Sequence, residues 1–159
     1  MVIESTISKQ NIWKILEQVT DPEVPVLTIT DLGIVRDVKL NGVEVEVIIT
    51  PTYTGCPAMD MIAMNIKLAL LENGYNKIKI TSVLAPAWTT EWMSEDGKRK
   101  LKEYGIAPPH SITRSDRVIE CPQCNSVNTK LISEFGSTAC KALYKCEDCK
   151  EPFDYFKCH

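Results

Sequence analysis

IVRDVKLNGVEVEVIIT, residues 34–50, reads as an antiparallel β-hairpin and sets the fold class of the residues around it. Asn41-Gly42 suits a two-residue type I′ turn, which needs positive φ at both central positions. Beyond it, Val43, Val45, Val47 and Ile49 point one way while Glu44 and Glu46 point the other, because side chains alternate along a strand. One face of the hairpin is therefore apolar and the other wet, and the apolar face needs helices to cover it.

The flanking sequence supplies them. Ile12, Ile15, Leu16 and Val19 share one face of a helix over 8–19, with Ser8 as N-cap and Trp13 beside the stripe. That helix stops before Asp21-Pro22, since the residue before proline avoids the α region. A second helix is expected over 57–73 and a strand over 77–84, with Ile78, Ile80 and Leu84 on one face. Ser94 then caps SEDGKRKLKEYG, which carries acids in its first turn, bases later and Gly105 as a stop. The order α-β-β-α-β-α describes a small α+β domain with helices packed on one sheet. We expect that domain over 1–107, a Pro108-Pro109 linker over 108–118, and a zinc-ribbon-like four-cysteine unit over 119–159.

Bulk composition narrows the function classes. Of the 159 residues, 44% are hydrophobic and 25% charged, and the net charge is −3. This is the composition of a globular protein, without the basic excess that nucleic acid or an anionic membrane attracts. Residues 1–97 carry 7 basic and 13 acidic side chains and 98–159 carry 11 and 8, so the tail is mildly basic. No apolar run is long enough to span a bilayer. MVIESTISKQ lacks the basic and apolar regions of an export signal, so a cytoplasmic location is expected. There, cysteines serve metal binding or redox chemistry rather than disulfides.

Six of the seven cysteines lie between 121 and 158. CPQC at 121–124 and CEDC at 146–149 each present two thiolates from a tight turn, and TKLISEF and ALYKC between them suit ribbon strands. Cys121, Cys124, Cys146 and Cys149 are thus expected to hold one tetrahedral metal ion. Zinc is preferred because it has no ligand-field resistance to that geometry; rubredoxin-type iron takes the same ligand pattern. Such a closed site serves structure rather than chemistry. Cys140, Cys158 and His159 remain as possible extra ligands. Cys140 otherwise reads as a small buried hydrophobe.

Cys56 stands apart, in TGCPAMD at 54–60. Pro57 suits the first turn of a helix, which makes Cys56 the expected N-cap. A thiol there lies near unsatisfied N–H groups, with Asp60 opposing their effect and Gly55 permitting close approach. The helix that follows is apolar on two sides: Ala58, Met59, Ile62, Ile66, Ala69 and Leu70 on one, Met61, Met64, Leu68 and Leu71 on the other. Cover is expected from the sheet and from a further element or subunit. Asp21, Glu23 and Asp31 read as turn formers rather than a catalytic cluster. Lys98, Arg99, Lys100 and Lys102 read as a solvated face, and Trp88 and Trp92 as packing residues.

Together, Asp21-Pro22-Glu23 with Pro25, Asp31-Leu32-Gly33, the hairpin and Thr54-Gly55-Cys56-Pro57 resemble the metal–sulfur cluster biosynthetic family associated with SUF-type iron–sulfur assembly. PAWTTEWMSEDGKRKLKEYGIAPP and FGSTACKALYKCEDCKEPFDYFKCH are similar to its PaaD (PaaJ) branch, which accompanies the multicomponent phenylacetyl-CoA epoxidase of aerobic phenylacetate degradation. The resemblance implies a compact α+β fold and an accessory role in iron–sulfur cluster assembly or maturation, without independent catalysis. It implies that Cys56 handles iron, sulfur or a transient cluster, with Asp31, Thr54 and Gly55 as neighbours. Other epoxidase subunits, above all the iron–sulfur reductase, are the implied partners. One thiol does not hold a cluster firmly, so a homodimer, a partner protein or a small thiol is also required. Two competing readings are a thiol enzyme using Cys56, with only His110 or His159 as histidine base, and a zinc-ribbon interaction or nucleic-acid-binding module, which the acidic charge opposes.

Overall fold

A computed structural model describes residues 8–53, 55–109, 118–138 and 140–156. The chain forms two compact units, 1–88 and 89–159. No described helix is long and apolar enough to cross a membrane.

The first unit contains α1 (Lys9–Leu16), β1 (Val35–Asn41), β2 (Glu44–Ile49), α2 (Ala58–Glu72) and β3 (Lys77–Ser82). Its sheet runs β1-β2-β3, with β1 antiparallel and β3 parallel to β2. The parallel pair requires a crossover, and α2 provides it. Helix α1 contacts β1 and α2, and α2 contacts β3, so the helices meet the apolar strand positions. Ile12, Leu16, Val38, Val45, Val47, Ile62, Ile66 and Leu70 are buried there. Each such side chain contributes about 1.5–3 kcal/mol on leaving water. Ser8 caps α1 as expected, its hydroxyl accepting from the Asn11 N–H at 3.2 Å.

The hairpin forms one residue further along than its sequence suggests. Asn41 pairs with Glu44, leaving Gly42 and Val43 as the turn. Gly42 has φ +65°, whereas neither Asn41 nor Val43 has positive φ. This is the type II′ pattern, with glycine first. Val43 is accordingly 59% exposed rather than part of the buried row. On the wet face Glu46 accepts from Thr81 Oγ1 at 2.5 Å and pairs with Lys79 at 3.4 Å. Strand β3 ends at Ser82, and Leu84 is exposed beyond it.

Between α1 and β1 the chain makes tight turns. Asp21, almost wholly buried, accepts from the N–H groups of Glu23 and Val24, both at 2.8 Å. Asp31 accepts from the Thr28 N–H at 3.2 Å, and its own N–H donates to Thr28 Oγ1 at 3.0 Å. These carboxylates hold turns, as their positions suggested.

The second unit contains a 3₁₀ turn (Thr90–Trp92), α3 (Glu95–Glu103), β4 (Ile106–Ala107), β5 (Thr129–Ser133), β6 (Lys141–Cys146) and β7 (Pro152–Phe156). Its sheet order is β4-β7-β6-β5. Helix α3 is capped by Ser94 and stopped by Gly105 at φ +86°, as its sequence indicates. It contacts β4, which pairs with β7, so it belongs with the cysteine-rich half. The boundary between the two compact units falls after Trp88. Lys98 and Arg99 pair with Glu95, Asp96 and Glu103 on the exposed face of α3.

Candidate functional site

The two C-x-x-C turns are built alike. In the first, the Cys121 N–H donates to Ser126 O at 2.8 Å, the Asn125 N–H donates to Cys121 O, and Asn125 has φ +61°. In the second, the Cys146 N–H donates to Glu151 O at 3.0 Å and Lys150 has φ +68°. Each turn thus closes through a residue in the left-handed region and points two sulfurs inward. Thr129 pairs with Cys146 across β5 and β6, which sets one turn against the other.

The four sulfurs of Cys121, Cys124, Cys146 and Cys149 all lie within 4.8 Å of one another. Cys121 to Cys149 is 3.8 Å and Cys124 to Cys146 is 3.6 Å. Four sulfurs placed tetrahedrally about 2.3 Å from one zinc ion stand roughly 3.8 Å apart, so the donor set fits such an ion in number, type and spacing. Protonation is coupled to such an ion. The Cys149 N–H and then that of Asp148 hold Cys146 down at about 7, against desolvation. The Glu151 N–H favours a Cys149 thiolate, but desolvation and the sulfurs of Cys124, Cys146 and Cys121 outweigh it and push that thiol up to about 12. At Cys124 the Ser126 N–H likewise favours the thiolate, yet desolvation and the Cys146 and Cys121 sulfurs leave the thiol raised. The thiols resist ionising together unless a cation compensates them.

Beneath the sulfurs is a small core of Ala107, Ile119, Cys121, Ala142, Cys146, Phe153 and Tyr155. Tyr144 packs on it, stacked on Phe153 at 6.0 Å and edge-on to Tyr155 at 5.8 Å. Two of its seven members are themselves metal-site cysteines. Asp148 joins the turns from outside, accepting from the Ser126 hydroxyl and from Asn128 Nδ2 at 3.1 Å. These hydrogen bonds hold the Asp148 carboxyl below its ordinary range. Sequence reading did not single out Asp148; its place inside CEDC was the available signal.

Cys140 lies outside this cluster, buried before β6, its sulfur 3.0 Å from Thr138 Oγ1. Thr54, His110, Cys158 and His159 lie outside the described residues.

Cys56 is half-buried. The expected cap is displaced by one residue: Pro57 takes the N-cap position of α2 with no side-chain capping bond. Cys56 instead joins the chain through its backbone, its N–H donating to Tyr53 O at 3.3 Å and its carbonyl accepting from the Met59 N–H at 3.2 Å. Gly55 precedes it at φ +78°, with open space where a Cβ would stand. The thiol is therefore presented by a turn fixed through its main chain. Thr50, where β2 runs into this loop, is buried and donates its N–H to Ile34 O at 2.9 Å. Its hydroxyl has no hydrogen-bond partner among the described residues.

Known proteins match each of the two parts. Residues 9–80 match the family described as iron–sulfur cluster assembly protein, and residues 106–157 the family described as PaaD zinc beta ribbon domain. A Bacillus anthracis crystal structure of a domain of unknown function, DUF59, aligns with TM-score 0.55 and 32% identity over 58% of this chain and 90% of its own. An "Fe-S protein maturation auxiliary factor" of Porphyromonas gingivalis (strain ATCC BAA-308 / W83) is 32% identical over 59% of this chain and 90% of its own. The fold and the four-cysteine ribbon thus define an assembly-type α+β domain followed by a zinc-ribbon unit. Across both parts, 150 residues are 53% identical to a subunit of the "Putative 1,2-phenylacetyl-CoA epoxidase" of Escherichia coli (strain K12), covering 92% of this chain and 91% of that one. The chain belongs to the PaaD family of phenylacetyl-CoA epoxidase subunits.

Proposed function

We propose that the chain is a non-catalytic accessory subunit of a phenylacetyl-CoA epoxidase system, acting in assembly or maturation of the iron–sulfur cluster of its reductase component. The observation that carries this reading is the continuous match of both units, in one chain, to a protein described as an epoxidase subunit. The assembly-type match of the first unit and the maturation factors aligned with it support the same role.

In this reading the two cysteine sites divide the work. Cys121, Cys124, Cys146 and Cys149 hold a structural zinc ion, which stabilises a unit whose own core is small. Cys56 takes up iron, sulfide or a cluster transiently, on a turn that keeps the sulfur half-accessible. Asp31 is held in its own turn by Thr28.

The test is a Cys56→Ser variant in cells that make the client reductase. Expected are an unchanged fold, an unchanged zinc content and a reductase with less iron, less sulfide and weaker visible absorbance. A reductase with full cluster content would overturn the role given to Cys56.

A further inference from the structure

Helix α2 has two apolar faces, and its own unit uses one. Ala58, Ile62, Ile66 and Leu70 are buried, whereas Met61, Met64, Leu68 and Leu71 are 54, 57, 50 and 47% exposed. The exposed four recur at i, i+3, i+7 and i+10. That is the a/d spacing of a coiled-coil seam over two heptads, on the side of the helix turned away from the sheet.

The charges beside this seam are complementary to a second copy of it. With Met61 at an a position, Asp60 and Lys67 occupy g positions and Asn65 and Glu72 occupy e positions. In a parallel pair, g side chains lie against the following e side chains of the partner, and such pairs set orientation. Lys67 then meets Glu72 of the second copy, and Asp60 meets Asn65, on both flanks. Asp60, Lys67 and Glu72 are exposed, and none forms an ion pair among the described residues. An antiparallel seam would set g against g and bring Lys67 beside Lys67.

We propose that α2 pairs with α2 of a second copy of this chain as a short parallel coiled coil. The interface is isologous: Met61, Met64, Leu68 and Leu71 each meet themselves across a two-fold axis along the helices. Methionine side chains adapt their shape readily at such contacts. The pairing also deepens the proposed function, and in this respect rests on it. Both Cys56 turns lie at the same end of the seam, so two thiols are offered where one chain offers one.

Sedimentation velocity of the full chain across a wide concentration range tests the pairing. The wild type is expected to dimerise and Leu68→Glu to remain monomeric. Lys67→Glu and Glu72→Lys are each expected to weaken the dimer about tenfold, through two like-charge contacts. Combining both changes in one chain restores dimerisation, and so does mixing the two single variants. These charge changes lie on exposed positions, and circular dichroism checks that each variant is folded. A monomeric wild type, insensitivity to the single charge changes, or failure of the double variant and of the mixture to recover would each overturn the proposal. The readout is mass, so failure here is distinct from failure of the maturation role, which is read in the reductase.

Discussion

The Ser126 hydroxyl donates to Oδ2 of Asp148, so a residue just after the first C-x-x-C turn is bonded to one inside the second. Asn128 Nδ2 donates to the other carboxylate oxygen at 3.1 Å. The bonds lie outside the sulfurs and fix the distance between the turns. Asp148→Ala is expected to weaken metal binding, because it removes both side-chain bonds that tie the two turns together. Competition with a chromogenic chelator measures this, and Asp148→Asn is expected to retain more affinity because it keeps an acceptor.

Metal loading is expected to release protons, with a defined pH sense. At pH 7 Cys124 and Cys149 are thiols in the metal-free site, since both are raised, Cys149 to about 12. Cys146, lowered to about 7, is already partly thiolate. Binding one zinc ion therefore releases at least two protons, from Cys124 and Cys149. Calorimetry in buffers of different ionisation enthalpy counts them. Affinity rises with pH and falls as acid restores the thiols. In the metal-free unit, the stability owed to the depressed Cys146 value is present above its ordinary 9.0 and lost as pH falls through about 7.

Metal removal is expected to disorganise the aromatic cluster of the second unit. Tyr144, Phe153 and Tyr155 pack on a core to which Cys121 and Cys146 contribute. Chelation is expected to diminish the near-ultraviolet circular dichroism, and added zinc to restore it.

Asp21→Ala is expected to lower stability by about 1–2 kcal/mol, the cost of losing a side-chain cap on backbone N–H groups. Asp21→Asn, which still accepts, is expected to lose less. Urea unfolding gives both values.

Trp88→Phe is expected to cost about 1–2 kcal/mol in the same measurement. The indole Nε1–H donates to Leu32 O at 2.7 Å in a buried setting. Phenylalanine fills much of the space and leaves the carbonyl without that donor.

The architecture was readable wherever periodicity was sustained. Valine alternation located β2, the Asn41-Gly42 turn signal placed β1 before it, two-sided apolarity marked α2, and Ser8 and Ser94 marked their helices. The hairpin turn was misplaced by one residue because Asn-Gly is a strong turn signal, yet the strand register favoured Gly42-Val43. Pro57, not Cys56, became the α2 cap, a difference of one residue that composition does not resolve. Strand β7 went unread although Phe153 and Tyr155 alternate, because PFDYF is short and begins with proline. Strand β4 has two residues and owes its existence to β7, a partner far along the chain. The four-cysteine site was legible because two C-x-x-C spacings encode it locally. Its link through Asp148 was not, since it depends on how β5 and β6 register.

That register gives the metal centre a further consequence. A strand slipped by one residue turns every side chain to the opposite face, so a β5–β6 hairpin formed out of step would deliver Cys146 to the wrong side. In the observed register Thr129 pairs with Cys146 and all four sulfurs lie within reach of one another. An ion bound there proofreads the strand alignment, because it binds fully only when β5 and β6 bring the two turns together.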